Sequence, residues 1–219
     1  GGNSVTGKKL VKVWGPIVGL LSCLQLLRIG LKALVFTIVP RTIFSDTVCS
    51  CIYMAAMTAL LLAWWKHRGE HLALLPRRFG MSYVISAMLA AAFLVSTPLI
   101  TRNTSPQALL SLAYHAVITV VFEELMFRGW VWEKLSSIGN GTFPWLGSSI
   151  LFGLWHLGYA DTVLWRSSLF FPDSDILTIL FWKVVTGLIL GLAFGLLRWK
   201  CKNAYGPALA HLVINAFGS

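Results

Sequence analysis

Long apolar stretches recur along the whole 219-residue sequence and constrain the fold more than any other feature. A helix needs about 20 mainly apolar residues to cross a bilayer, and these stretches have that length. Charged residues make up only 12% of the chain, against roughly 25% in a typical soluble domain. Because a helix satisfies its own backbone hydrogen bonds within lipid, we expect an all-α fold, a polytopic bundle of transmembrane helices.

Seven stretches are candidate spans by this rule, although the last is short, and we predict about seven spans. They are residues 13–39, 46–65, 82–100, 110–132, 144–161, 176–197 and 204–218. The first is overlong and contains Arg28 and Lys32, so it is either one tilted helix or a span followed by an interfacial helix. No internal repeat or low-complexity tract divides the chain. We therefore expect residues 1–219 to form a single integral-membrane domain.

Two segments suggest how the spans pack and where the chain meets the interface. Gly187, Gly191 and Gly195 recur at every fourth residue, which predicts the close approach of another helix. The segment between Asp161 and Asp175 contains several aromatic residues. We expect it to lie on the outer membrane interface as an amphipathic segment.

The basic residues predict the orientation of the chain. A net charge of +10 would suggest a nucleic-acid partner in a soluble domain, but here the bases cluster at the ends of the apolar stretches. A cytoplasmic amino end leaves only Arg41, Arg102 and Arg166 in outer loops. It places most of the other bases inside, as the positive-inside rule requires. We therefore predict a multi-pass protein with a cytoplasmic amino end and no nucleic-acid partner.

Two neighbouring carboxylates, Glu123 and Glu124, lie inside an apolar run, where an ionised side chain costs roughly 2.5–3.5 kcal/mol. The other six carboxylates lie in loops or at the ends of spans. Arg128 follows Glu124 by one helical turn on the same face, so we expect these two residues to form an internal ion pair. Glu123 points roughly 100° away and has no local partner. Water is its expected partner.

Three histidines, His115, His156 and His211, lie in three different predicted spans. Asn215 follows His211 by one turn, so both side chains project from one face. Residue counts at the helical rise place Glu123, His156 and His211 at a similar depth from the face of the amino end. This match predicts one shared site and favours access from the cytoplasm. The alternative is that each polar group only joins helices by hydrogen bonds.

This set of side chains is suited to peptide-bond hydrolysis, which needs an activated water and donors for the tetrahedral oxyanion. Glu123 can act as the general base, and His156 can help to hold the water. His211 and the Asn215 amide can donate hydrogen bonds to the oxyanion. No serine or cysteine nucleophile lies in a comparable constellation. The sequence therefore favours hydrolysis by water.

Three motifs carry a resemblance to a known family. They are Glu-Glu-x-x-x-Arg at 123–128, Phe-x-x-x-His at 152–156 and His-x-x-x-Asn at 211–215. In this order they resemble the CPBP family of intramembrane glutamic proteases, which includes CAAX-processing and bacteriocin-processing enzymes. The resemblance covers residues 105–219, the motif-bearing half. It implies the same catalytic roles for Glu123, His156, His211 and Asn215, with Glu124 and Arg128 as supporting residues. It also implies that the substrate is a membrane-embedded or lipidated peptide or protein.

Two alternatives stay open beside this cofactor-free mechanism. Glu123, His156 and His211 could instead bind zinc, because catalytic zinc sites use three such ligands and one open position. The string H-x-x-E-H at 67–71 also fits a metalloprotease motif. It lies in a cationic loop at a membrane edge, so we interpret it as an anchoring loop. The second alternative is a non-catalytic membrane protein, such as an immunity or scaffold factor or a small transporter that uses the buried charges as a pathway.

Overall fold

The computed structural model describes residues 7–218, apart from the side chain of Lys8. This part of the chain is helical and contains no strand. Its helices are α1 (Gly7–Val35), α2 (Ile43–His67), α3 (Met81–Ile100), α4 (Pro106–Ser136), α5 (Thr142–Trp155), α6 (Ala160–Phe170), α7 (Ile176–Cys201) and α8 (Tyr205–Phe217). The predicted all-α class is confirmed.

Helices α1 to α4 and α7 are long and apolar enough to cross a membrane. The predicted spans at α5 and α8 form shorter helices of 14 and 13 residues. Large apolar side chains project outward from the long helices; Leu26, Met88 and Leu177 are 69%, 66% and 77% exposed. Such apolar surface suits lipid rather than water. The chain is a multi-pass membrane protein.

Helix α1 is continuous, which decides between the two alternatives for the first apolar stretch. Arg28 and Lys32 turn into the bundle and are almost fully buried. Arg28 pairs with Asp161 of α6 (Nη2–Oδ1, 2.5 Å), and Lys32 pairs with Asp46 of α2 (Nζ–Oδ2, 3.1 Å). Each cation thus meets a carboxylate from a neighbouring helix, as charges within a membrane require.

The predicted span 144–161 is wrong as a single helix. Helix α5 ends at Trp155, a 3₁₀ turn covers His156–Tyr159, and α6 then covers most of the segment that was expected to lie on the interface. Side chains of α1 bind carbonyl groups at this break. Gln25 donates to the Trp155 carbonyl (3.2 Å), and Arg28 donates to the Gly158 carbonyl (2.7 Å). These bonds satisfy backbone groups near the end of α5.

Helices α5 and α7 pack closely along the predicted glycine stripe. A Cβ atom on Gly191 would lie 3.0 Å from the Ser149 carbonyl oxygen, and one on Gly195 would lie 2.6 Å from Cδ1 of Trp145. The close approach predicted from the glycine spacing is confirmed. It fixes the end of α5, and therefore His156, against α7.

Helix α4 contains two π-helical stretches, Tyr114–Ile118 and Leu125–Val131, on either side of Glu123 and Glu124. Such wider turns are often found at functional sites. All residues from 122 to 131 are buried, so this part of α4 lies in the middle of the bundle. The stacked rings of Trp65 and Trp130, 5.8 Å apart, join it to α2.

Candidate active site

The predicted ion pair between Glu124 and Arg128 is present at the centre of the bundle. Arg128 Nη1 lies 3.3 Å from Glu124 Oε1, and both side chains are buried. Arg128 also donates to the Gly191 carbonyl (3.0 Å), and its guanidinium lies 4.4 Å from the centre of the Phe152 ring. The pair therefore joins α4 to α5 and α7.

His211 of α8 contacts both carboxylates. Its Nδ1 lies 2.8 Å from Glu124 Oε1, and its Nε2 lies 3.8 Å from Glu123 Oε2. Because Glu124 already accepts a hydrogen bond from Arg128, we assign Glu124 as a carboxylate and His211 Nδ1 as the donor. The second nitrogen of His211 is then directed toward Glu123. Arg128, Glu124 and His211 form a chain that ends at Glu123.

Glu123 has different surroundings from its neighbour. It is only 3% exposed, and within residues 7–218 its carboxylate forms no hydrogen bond. It lines a cavity that is partly open and lies within electrostatic reach of the His156 and His211 rings. The predicted division between a paired Glu124 and an unpaired Glu123 agrees with this geometry.

His156 lies at the junction between α5 and the 3₁₀ turn, and its ring lines the same cavity. Its Nδ1 lies 2.7 Å from the Phe152 carbonyl oxygen, one turn earlier. A carbonyl oxygen can only accept, so Nδ1 carries the proton. In the neutral ring Nε2 then has a lone pair with which it can accept a hydrogen bond.

Asn215 lies one turn after His211 and also lines the cavity. One hydrogen of its Nδ2 is donated to the carbonyl oxygen of His115 on α4, at 2.8 Å. This bond fixes the orientation of the amide. An amide nitrogen has two hydrogens, and this amide lies on the wall of the cavity.

The cavity has a volume of about 860 Å³ and brings together all four predicted catalytic residues. Many of its other lining residues lie near the ends of α1, α6 and α8 and near the beginnings of α2, α4 and α7. Among them are Lys32, Asp46, Ser111, Phe170, Phe171, Ile179 and Gly218. All of these positions belong to the half of the bundle in which α1 ends. The expectation of access from the face of the amino end is therefore wrong, because the cavity extends toward the opposite face.

The motif-bearing half also has a recognisable relationship to known proteins. A family model described as "Type II CAAX prenyl endopeptidase Rce1-like" matches residues 104–217. The chain belongs to this family. The match covers more than half of the sequence and includes all three motifs, so the resemblance to CAAX-processing membrane proteases is confirmed. The sequence matches no curated protein and no solved structure.

Several residues of this CAAX-type protease line the cavity although their positions in the sequence did not predict a part in the site. They are Arg28, Tyr114, His115 and Tyr159. Tyr159 follows His156 within the 3₁₀ turn, accepts a hydrogen bond from Trp155 Nε1 (3.1 Å) and lies under the Arg28 guanidinium. Two features of the sequence could have indicated them. Arg28 is a cation inside the first apolar stretch, and Tyr159 is a polar aromatic residue close to the Phe-x-x-x-His motif.

The zinc alternative can be compared with this geometry. Glu123, His156 and His211 have suitable donor atoms, and Nδ1 of each histidine donates to an acceptor of the protein, as in many histidines that bind a metal through Nε2. Only the two Nε2 atoms and one carboxylate remain for a metal. In the part of the chain that the structure describes, no three His, Cys, Asp or Glu side chains are arranged to hold a metal ion.

Proposed function

We propose that this CAAX-type intramembrane protease cleaves its substrate with a water molecule that Glu123 and His156 activate, without a metal cofactor. The substrate is a membrane-embedded or lipidated peptide or protein. The observation that carries the proposal is the contrast between the two central carboxylates. Glu124 is held by Arg128 and His211, whereas Glu123 faces the cavity with no hydrogen-bond partner in residues 7–218.

The attacking water binds between two acceptors. It donates one hydrogen bond to the Glu123 carboxylate and the other to Nε2 of His156, whose tautomer is fixed by the Phe152 carbonyl. Its oxygen then attacks the substrate carbonyl carbon while its proton passes to Glu123. Glu123 later gives this proton to the nitrogen of the leaving amine, so one residue serves as base and then as acid.

The oxyanion of the tetrahedral intermediate is held by Asn215 and His211. The side-chain amide of Asn215 donates to it. His211 can donate from Nε2 only when both ring nitrogens are protonated, because its Nδ1 proton is engaged with Glu124. The Glu124 carboxylate stabilises that imidazolium, much as a buried aspartate does in a serine-protease triad. Glu124 thus positions His211 in addition to binding Arg128.

The direct test of this function is a comparison of membrane-protein termini. Source cells carry either the wild type or Glu123→Gln, and mass spectrometry quantifies the termini with and without a chelator. We expect termini that depend on Glu123 and persist in the chelator. Their loss in the chelator would favour the zinc mechanism. A biological phenotype that Glu123→Gln retains, with no change in termini, would favour a non-catalytic protein.

Asn215→Ala should slow turnover by about 10²–10³-fold, the usual loss when one oxyanion donor is removed. Thermal melting in detergent should show a smaller change, because the hydrogen bond to the His115 carbonyl is a single interhelical contact. Turnover and melting temperature are measured on the same preparation. An unchanged turnover would assign Asn215 to helix packing alone.

Gly187→Ala should reduce activity through His156. A Cβ atom at this position would lie 2.7 Å from His156 Nδ1 and 3.2 Å from the Gly153 Cα. The ring must move, and small displacements of catalytic groups can cost about 10²-fold in rate. Gly195→Ala is the matched control, because it crowds Trp145 instead. Equal activity of the two variants at equal stability would contradict the placement of His156.

A further inference from the structure

Helix α1 binds the segment that carries His156, although it lies outside the part of the chain that the family model matches. That match begins at residue 104. Gln25 and Arg28 of α1 are only 7% and 1% exposed, and both donate hydrogen bonds to residues 155–161. We term these seven residues the histidine segment. Two buried polar side chains of α1 therefore act on the part of the chain that carries a proposed catalytic residue.

Arg28 uses all three nitrogens of its guanidinium in these contacts. Its Nε donates to Oε1 of Gln25 (2.9 Å), and its Nη2 donates to the Gly158 carbonyl (2.7 Å). Nη1 and Nη2 both donate to the Asp161 carboxylate (3.3 and 2.5 Å). The Gln25 amide, oriented by Arg28, donates to the Trp155 carbonyl (3.2 Å). The histidine segment is thus bound at three points, which lie on both sides of the histidine.

The contact between α1 and the histidine segment leaves no room for a methyl group. A Cβ atom on Gly158 would overlap the Gln25 side chain, with Nε2 at 2.5 Å. Gln25 cannot move aside at low cost, because its amide is buried and is bonded to both the Trp155 carbonyl and Arg28. Displacing Gln25 would therefore break two buried hydrogen bonds.

The His156 ring has its own contacts on α5 and α7. Its Nδ1 donates to the Phe152 carbonyl, and a Cβ atom on Gly187 would lie 2.7 Å from the same nitrogen. These contacts orient the ring only if the backbone from which it projects is also fixed. Arg28 and Gln25 bind that backbone at the carbonyl before His156 and at a carbonyl two residues after it. The direction of Nε2 therefore depends on α1.

We propose that Gln25 and Arg28 are positioning residues, which hold the backbone around His156 so that its Nε2 faces the attacking water. This inference rests on the proposed function, in which His156 accepts a hydrogen bond from that water. Gln25 and Arg28 act through His156 and transfer no proton themselves. The active site therefore includes side chains of α1, a helix that the family model does not cover. A contact that only joined α1 to the bundle would affect stability and leave the His156 ring unchanged.

The test observes the His156 ring directly, so that it does not depend on cleavage. The chain contains five histidines. The protein is labelled with ¹⁵N-histidine and studied by NMR in detergent micelles, at a pH at which the ring is neutral. The His156 signals are assigned by their loss in His156→Gln. In the wild type we expect one tautomer, with the proton on Nδ1, because this nitrogen donates to the Phe152 carbonyl.

Two variants disturb the contact from opposite sides. Arg28→Lys keeps a positive charge beside Asp161 but lacks the planar fork that binds three acceptors together. Gly158→Ala keeps every charge and displaces Gln25. In each variant we expect both tautomers of His156, a melting temperature close to that of the wild type, and turnover reduced by about 10²-fold, as for a misplaced catalytic group.

Lys32→Met is the matched control. Lys32 lies one turn after Arg28 and is also a buried cation of α1 paired with a carboxylate of another helix, but within residues 7–218 it bonds only to Asp46. It should leave the His156 signals unchanged. Unaltered His156 signals in Arg28→Lys and Gly158→Ala, or equal changes in Lys32→Met, would overturn the proposal.

Cleavage is scored separately, on a membrane protein whose terminus depends on Glu123. Wild-type turnover in Arg28→Lys, despite altered His156 signals, would also overturn the proposal, because the orientation of the ring would then not matter for catalysis. If the signals change as expected but no terminus depends on Glu123, the proposed function is rejected and the hold of α1 on His156 is retained.

Discussion

Glu123→Gln should reduce peptide-bond cleavage by at least about 10³-fold while leaving the fold intact. General acid–base catalysis by a positioned side chain contributes typically 10²–10⁴-fold, and here the same residue accepts and later returns the proton. The glutamine has nearly the same shape but cannot accept a proton at neutral pH. Because it removes an ionisable group beside the paired Glu124, thermal stability should be unchanged or increased. Cleavage of an identified substrate and melting in detergent are the measurements.

The control for Glu123→Gln is the same substitution at Glu70. Glu70 pairs with Lys134 near the opposite face of the bundle and does not line the cavity. Glu70→Gln should therefore retain activity. If Glu123→Gln kept even a tenth of the wild-type rate with its fold intact, Glu123 could not be the base, and the proposed mechanism would have to be abandoned.

Local spacing predicted the parts of the site that lie on one helix. Glu124 and Arg128 are four residues apart, and the pair forms despite the π-helical stretch that begins at Leu125. The same reasoning predicted the close packing along Gly187, Gly191 and Gly195. In both cases residues four positions apart lie on the same face of a helix, whatever the tertiary structure around it.

Contacts between distant helices could not be predicted in this way. The bond between His211 and Glu124 joins residues 87 positions apart, and no local pattern assigns it. Asp46 was placed at the edge of a span but is completely buried, because cations from three segments converge on it. The side to which the cavity extends follows from the joint placement of several helix ends. Counting residues along one helix gives the depth of a side chain but does not show on which face of the membrane the cavity opens.

Arg128→Met should have the largest effect on stability. Arg128 is fully buried, and its removal leaves the Glu124 carboxylate in an apolar surrounding with His211 as its remaining partner. Breaking a buried ion pair by removing one partner costs about 3–5 kcal/mol. The variant should give a low folded yield and a clearly reduced melting temperature, measured in detergent against the wild type. A normal melting temperature would remove the structural role of the pair.

The double variant Glu124→Gln/Arg128→Met separates stability from catalysis. It removes both charges, and replacing a buried pair by neutral groups of similar size is often close to neutral for stability. We expect the double variant to melt at a higher temperature than Arg128→Met alone. Activity should nevertheless remain low, because a neutral amide opposite His211 Nδ1 no longer stabilises the imidazolium that binds the oxyanion. If activity returned together with stability, Glu124 would serve only to anchor Arg128, and His211 would not require a carboxylate partner.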